Sequence, residues 1–182
     1  MLHRFWRPAA VAVLVLALAV VGGSAAAAKK APKKAPKNAR IEMKGKTTVK
    51  VNKFIKDSVH FSPGKDSIRS GGTLTLRNRT DEPHTFSIVK KSDLPRTASK
   101  IEDCGSPGTI CDTIFTAHQP DPDGNPTKPV VDVGAPGIDQ PGDSIVLNPK
   151  QTLKTNVSAA KGTTLYFICG IHAWMQGQLR SR

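Results

Sequence analysis

Cysteine and aromatic residues are scarce: the 182-residue chain has three cysteines, six phenylalanines, two tryptophans and one tyrosine. No basic stripe interleaves those aromatics, so the stacking surface of a nucleic-acid binder is excluded. Long apolar runs are missing outside the first 28 residues. The one present, Ala9 to Val21, has about 13 strongly apolar residues, short of the roughly 20 that a membrane-spanning helix needs. No cysteine follows it closely, so a lipid-modified N-terminus has no attachment point. Helical periodicity is also rare, and that lack shifts the fold class towards strands.

What stands at the N-terminus is a short basic region (His3, Arg4, Arg7), the apolar run, and small residues ending at Ala28. This is the anatomy of a secretory signal peptide over residues 1–28. Residues 29–40, KKAPKKAPKNAR, carry Lys, Ala and Pro without a large apolar side chain, and such a segment has no means of building a core. A disordered linker is expected there. Eight of the 27 basic residues precede position 41 and none of the 14 acids does, so the alkaline balance belongs largely to this end of the chain. The linker offers screened attraction to an anionic membrane or cell wall, and a solvated spacer is the plainer alternative. Residues 41–182 have the length of a single domain.

Within that domain period-2 alternation dominates. In Gly72 to Asn78 the two leucines share one face while Thr73, Thr75 and Arg77 share the other, a half-buried strand. His84 to Val89 alternates in the same way and places His84 with Phe86 and Ile88 on the inner face. Thr163 to Cys169 puts Leu165, Phe167 and Cys169 together. Further strands are expected at Thr48 to Phe54, Asp66 to Arg69, Ser144 to Leu147, Thr152 to Val157 and Gly177 to Arg180. Gly- and Pro-bearing turns such as Ser62-Pro63-Gly64 and Gln140-Pro141-Gly142 separate them. Many short strands with such punctuation indicate an all-β sandwich.

Residues 92–142 break the rhythm. They are rich in Pro, Gly and Asp, and a stretch of that length inside a compact domain reads as an ordered, loop-rich insertion. A short helix is expected within Ile110 to His118. Cys104 and Cys111 lie in this region, and an exported chain favours their pairing as a disulfide. Cys169 is then left as a lone thiol in an apolar strand.

The chemistry concentrates in Cys169-Gly170-Ile171-His172-Ala173-Trp174-Met175, where a thiol, an imidazole and a thioether fall within one loop. Two histidines, a thiolate and a weak axial methionine form a blue-copper electron-transfer site. His84, on a separate strand after the turn Asp81-Glu82-Pro83, supplies the second histidine. Taken singly, His84, Met175 and Cys169 read as ordinary core residues and His172 as a surface histidine. The joint pattern of four donors, in order and at strand ends, reverses that reading.

Both segments resemble the plastocyanin, amicyanin and pseudoazurin group of cupredoxins. The resemblance rests on Asn78 followed by Pro83-His84, and on the Cys-x-x-His-x-x-Met loop, which is closest to the amicyanin pattern with Ala173 in place of its middle proline. It covers residues 47–89 and 144–180, and the insertion has no counterpart. It implies a Greek-key sandwich with one type 1 copper per chain held by His84, Cys169, His172 and Met175. Electrons would pass through an exposed ring edge of His172. Asn78 and Thr85 would support the ligands, with the Thr85 N–H directed at the Cys169 sulfur.

The resemblance also implies a monomeric carrier, not an enzyme, that meets redox partner proteins outside the cytoplasm, in a periplasm, at a cell surface or in the medium. A copper-buffering module and a cell-surface interaction module are the competing functions. Zinc is the alternative metal, but a four-ligand zinc site would need Cys104 and Cys111 reduced. A dinuclear copper site needs a second cysteine in the loop. His60 and His118, the remaining histidines of the domain, are too few for a catalytic copper cluster. Asp121-x-Asp123-x-Asn125 follows a calcium-loop spacing but has Pro126 where a glycine is required, so it reads as a polar turn. The Asn78 and Asn156 glycosylation patterns are short enough to arise by chance.

Overall fold

A computed structural model describes residues 34–182. The expected signal peptide, and the linker as far as residue 33, lie outside the described residues. The chain forms β1 (Asn38–Lys44), β2 (Thr47–Lys50), β3 (Phe54–Asp57), β4 (His60–Ser62), β5 (Lys65–Ile68), β6 (Gly72–Asn78) and β7 (His84–Val89). Two helices follow, α1 (Ala98–Glu102) and α2 (Ile110–Ala117), and then β8 (Val130–Val131), β9 (Ser144–Leu147), β10 (Thr152–Val157), β11 (Thr164–Ile168) and β12 (Gln176–Ser181). No helix among the described residues is long and apolar enough to cross a membrane.

Two sheets make the sandwich, a four-stranded one in the order β10-β6-β1-β4 and a six-stranded one in the order β5-β12-β11-β7-β9-β8. Consecutive strands β6 and β7 lie in different sheets, as do β10 and β11, which are the crossing connections of a Greek-key arrangement. The alternating faces meet between the sheets. Ile41, Met43, Leu74 and Leu76 from one sheet pack against Phe86, Ile88, Leu147, Leu165, Phe167 and Leu179 from the other. Phe61 stands edge-on to Phe86 and Phe167, with ring centroids 6.0 and 5.0 Å away.

Residues 38–40, assigned to the linker by composition, belong to β1. Asn38 to Met43 pair in parallel with Thr73 to Asn78, and Ile41 and Met43 are fully buried while Asn38 and Arg40 face out. The strand satisfies its backbone in the sheet and buries alternate side chains, which outweighs its basic composition. The expected strand at Thr48 to Phe54 is likewise corrected. Thr48 to Lys50 belong to β2 and Phe54 begins β3, with a turn at residues 51–53 between them, and the two strands pair only with each other. Asn52 sits there at φ 58°, a left-handed conformation that asparagine tolerates.

The insertion covers the outer face of the six-stranded sheet. Thr97 and Thr109 cap α1 and α2 by accepting from the backbone N–H of Lys100 and Asp112. The Cys104–Cys111 disulfide forms, with an S–S distance of 2.07 Å. Both cysteines and Ile114 pack with Val89 and Ile168, the outward-facing residues of β7 and β11, and with Ala173 of the metal-ligand loop. Every residue of β7 is therefore buried. Asp121 accepts from the backbone N–H of Asp123 and Asn125, which makes the calcium-like segment a polar turn.

Candidate metal centre

The parallel pairing of β1 with β6 and the antiparallel pairing of β6 with β10 define one end of the sandwich, where β6 stops at Asn78 and β7 starts at His84. Strand β11 also ends there, delivering Cys169. The loop from Gly170 to Met175 closes back on it: the Cys169 N–H donates to Met175 O at 3.0 Å, and the Met175 N–H donates to His172 O at 2.8 Å.

This local fold brings three ligand atoms together. Cys169 Sγ lies 3.7 Å from His84 Nδ1 and 3.8 Å from His172 Nδ1, and the two nitrogens are 3.1 Å apart. The circle through these three atoms has a radius of about 2.1 Å, matching metal–nitrogen and metal–sulfur bonds of roughly 2.0 to 2.3 Å. An ion at its centre would lie at bonding distance from all three donors. His84 and Cys169 are fully buried, and Met175 is buried in the core cluster that also contains Cys169.

Neighbouring residues fix the donors. Thr80 Oγ1 is 2.8 Å from His84 Nε2, which commits Nδ1 to the centre. Asn78 holds that threonine: its Oδ1 accepts from both Thr80 N–H and Thr80 Oγ1, while its Nδ2 donates to the carbonyls of Glu82, Leu147 and Asn148. Asn78 is fully buried, so its side chain is closed to glycosylation. The Thr85 N–H donates to Cys169 Sγ at 3.4 Å, and Thr85 Oγ1 accepts from the Gly170 N–H at 2.8 Å.

Electrostatics suit a cation. Burial, reinforced by the neighbouring His172, pushes His84 down to about 4, so its imidazole is a neutral lone-pair donor at ordinary pH. Burial pushes the Cys169 thiol up. A bare thiolate is disfavoured there, and a metal ion supplies the compensating charge.

One expectation fails. His172 was expected to expose a ring edge, yet it is only 8 % exposed. Trp174 lies against it with ring centroids 5.2 Å apart, and two carboxylates close over its outer nitrogen, Asp57 Oδ2 at 3.9 Å and Glu82 Oε2 at 3.7 Å from Nε2. Thr47 Oγ1 stands between the two acids, donating its one proton to Asp57 Oδ2 at 3.0 Å with Glu82 Oε1 at 3.5 Å. The β2–β3 hairpin thus covers the edge by carrying Thr47 and Asp57 onto it. Nothing in the local sequence around Asp57 marks it, because its role arises from the hairpin folding over a loop more than a hundred residues distant in sequence.

His118 is a second residue without a sequence signal. It is buried in the insertion, where Nδ1 donates to Lys128 O at 2.6 Å and Nε2 lies 2.8 Å from Ser144 Oγ. Ser144 Oγ is 2.6 Å from Ser87 Oγ, which in turn bonds Thr85 Oγ1 at 2.9 Å. A continuous polar chain therefore joins the insertion to the residue that supports Cys169. His60 lies outside the cluster, exposed and bonded to Ser58 O.

No protein-family model and no curated protein matches the sequence. Among solved structures, a reduced auracyanin from Roseiflexus castenholzii shares 16 % identity over 82 % of this chain and 99 % of its own, with a TM-score of 0.48. A purple cupredoxin from Nitrosopumilus maritimus shares 15 % over 79 % and 99 %, with a TM-score of 0.43. Plastocyanin from Dryopteris crassirhizoma shares 18 % over 79 % and 100 %, with a TM-score of 0.36. The chain's own geometry decides the site: in an all-β sandwich, the buried His84, Cys169 and His172 donors, with Met175 in the same loop, fit a type 1 copper site.

Proposed function

We propose that the protein is an extracytoplasmic carrier of single electrons that holds one type 1 copper through His84 Nδ1, Cys169 Sγ and His172 Nδ1, with Met175 as the weak axial ligand. The observation that carries this reading is the circle of about 2.1 Å through three buried donors of the soft and imidazole types that copper prefers. Bound copper supplies a one-electron couple. The protein supplies a frame: Asn78 and Thr80 orient His84, Thr85 directs an N–H at the sulfur, and the disulfide-tied insertion packs Ala173 in place. Ligands held by a packed core and a satisfied polar network move little when the charge of the centre changes.

The export reading rests on the N-terminal pattern and on the disulfide, which belongs to an oxidising compartment. A second reading, a copper-holding module without electron turnover, draws support from the burial of His172. Voltammetry of the copper-loaded protein on an electrode separates the two. A carrier gives a reversible one-electron wave that persists at fast scan rates. Slow, irreversible exchange with copper retained would favour the holding module and sink the carrier reading.

A further inference from the structure

The β2–β3 hairpin does more than cover His172. It exposes four apolar residues, Val49, Val51, Phe54 and Ile55, at 59, 81, 46 and 75 %. Around them stand four exposed lysines, Lys46, Lys50, Lys53 and Lys56, none in an ion pair among the described residues. Asp57 is the only acid between positions 46 and 57. Isolated exposed apolar residues need no explanation, but a cluster of them on one protruding element does.

The cross-strand register says where this surface points. Val49 pairs with Ile55, and Thr47 pairs with Asp57, one repeat nearer the centre on the same face. The Val49–Ile55 pair therefore extends outward from the carboxylate beside His172, at about 7 Å along the strands. Trp174, 44 % exposed, adds apolar surface from the ligand loop. Trp174 touches both His172 and, through Nε1 donating to Val59 O at 3.3 Å, the chain that leaves the hairpin.

We propose that the hairpin is the docking ledge for a protein partner whose contact surface is apolar and rimmed by acidic side chains, and that this ledge takes the place of a bare histidine edge. The inference rests on the carrier reading and names the chemistry of its partner. Charge complementarity selects the acidic rim, since the ledge presents four lysines without an ion pair among the described residues around an apolar centre. A protein is favoured over a bilayer by the direction of the chain. Strand β1 runs from Asn38 towards Lys44 in parallel with β6, so the chain enters the sandwich at the end opposite the metal centre, where Lys37 O accepts from the Thr73 N–H, away from the hairpin.

The test uses poly-L-glutamate as the acidic probe. In amide NMR spectra of the Cu(I)-loaded protein, addition of the polymer is expected to shift residues 46–57 and 174, and Lys50→Glu/Lys53→Glu/Lys56→Glu is expected to abolish those shifts. Oxidation of the Cu(I) protein by ferricyanide, in which one electron reduces Fe(III) to Fe(II), is expected to slow roughly tenfold in the triple variant at low salt, with the difference lost at high salt. Shifts confined to the basic N-terminal segment, or equal ferricyanide rates in both proteins, would overturn the docking ledge. Hairpin shifts with phosphatidylglycerol vesicles and none with polyglutamate would overturn it in favour of a membrane surface. Absence of a blue absorption band in a protein whose hairpin still binds polyglutamate would sink the carrier reading and leave the ledge standing.

Discussion

Replacement of Asn78 links stability to the metal site in one residue. The side chain is fully buried, with Oδ1 accepting twice from Thr80 and the two protons of Nδ2 shared among the carbonyls of Glu82, Leu147 and Asn148. A typical hydrogen bond is worth a net ~1 kcal/mol, and a buried partner left unpaired costs about 1 to 3 kcal/mol. Thr80 Oγ1 can turn its one proton to Glu82 O in Asn78→Ala, so some loss is recovered. The expected cost is about 3 kcal/mol, a sizeable part of the 5 to 15 kcal/mol that holds a domain. The midpoint of thermal unfolding should then fall by roughly 6 to 12 °C. Asn78→Asp sharpens the reasoning, because the carboxylate keeps the acceptor for Thr80 but faces three carbonyl oxygens with no proton to give. At neutral pH it should cost more than alanine. Both variants should also bind copper more weakly, since Thr80 would no longer be held against His84 Nε2. Urea unfolding of the metal-free proteins, followed by circular dichroism, measures the costs. An alanine variant within about 0.5 kcal/mol of the parent, or an aspartate variant more stable than the alanine one, would refute the network argument.

Other expectations follow from the same geometry. Asp57→Asn and Glu82→Gln each remove a negative charge beside His172 Nε2, so the oxidised state loses stabilisation and the reduction potential should rise in voltammetry with copper retained; an unchanged or lowered potential contradicts the carboxylate clamp. Burial lowers the folded-state pKa of both His84, to about 4, and His118, from an ordinary value of 6.5. Groups depressed in this way favour the folded state fully above pH 6.5 and lose that contribution as the pH falls towards 4. Metal-free protein should therefore melt at progressively lower temperature across that window, with a shallower slope in His118→Gln; identical slopes would show that His118 is not buried in neutral form. Met175→Leu should keep the blue colour and copper content while shifting the potential, and an unaltered potential would remove Met175 from the ligand set.

The strands that were legible in the sequence are those with inward-facing apolar residues set between turn signals, even where burial does not alternate, as in β7 and β9, which are buried throughout. Gly72–Asn78, His84–Val89, Ser144–Leu147 and Thr152–Val157 fall at the expected residues because each lies between turn signals and packs one face on the core. Helix α2 falls within its expected segment, and the Cys104–Cys111 pairing forms as the export pattern implies. Strand β1 was hidden because its outward positions, Asn38, Arg40, Glu42 and Lys44, continue the polar composition of the segment before it. Ile41 and Met43, with the small Ala39, carry its inward pattern, and parallel pairing with β6 completes it. The hairpin misled for the opposite reason. Val49, Val51, Phe54 and Ile55 have the composition of buried strands and are exposed, so composition alone gave a single strand where a turn interrupts it.

For the site, donor types and their order were legible, because a Cys-x-x-His-x-x-Met loop after an apolar strand leaves few alternatives. The surroundings were not. Asp57 and Glu82 reach His172, and His118 reaches Thr85 through Ser144 and Ser87, by contacts between elements distant in sequence. No local pattern encodes such contacts. The burial of His172 follows from them, and it replaces the expected exposed edge with a covered one.

The most direct measurement is the visible absorption and EPR spectrum of the described domain, residues 34–182, after one equivalent of Cu(II), alongside Cys169→Ser. The account predicts an intense blue band with narrow copper hyperfine splitting in the parent, bleached by mild reductant and restored by oxidant, and no such band in the folded serine variant. A colourless parent, an ordinary tetragonal copper signal, or a blue band that survives Cys169→Ser would contradict the central claim that His84, Cys169 and His172 converge on one copper ion.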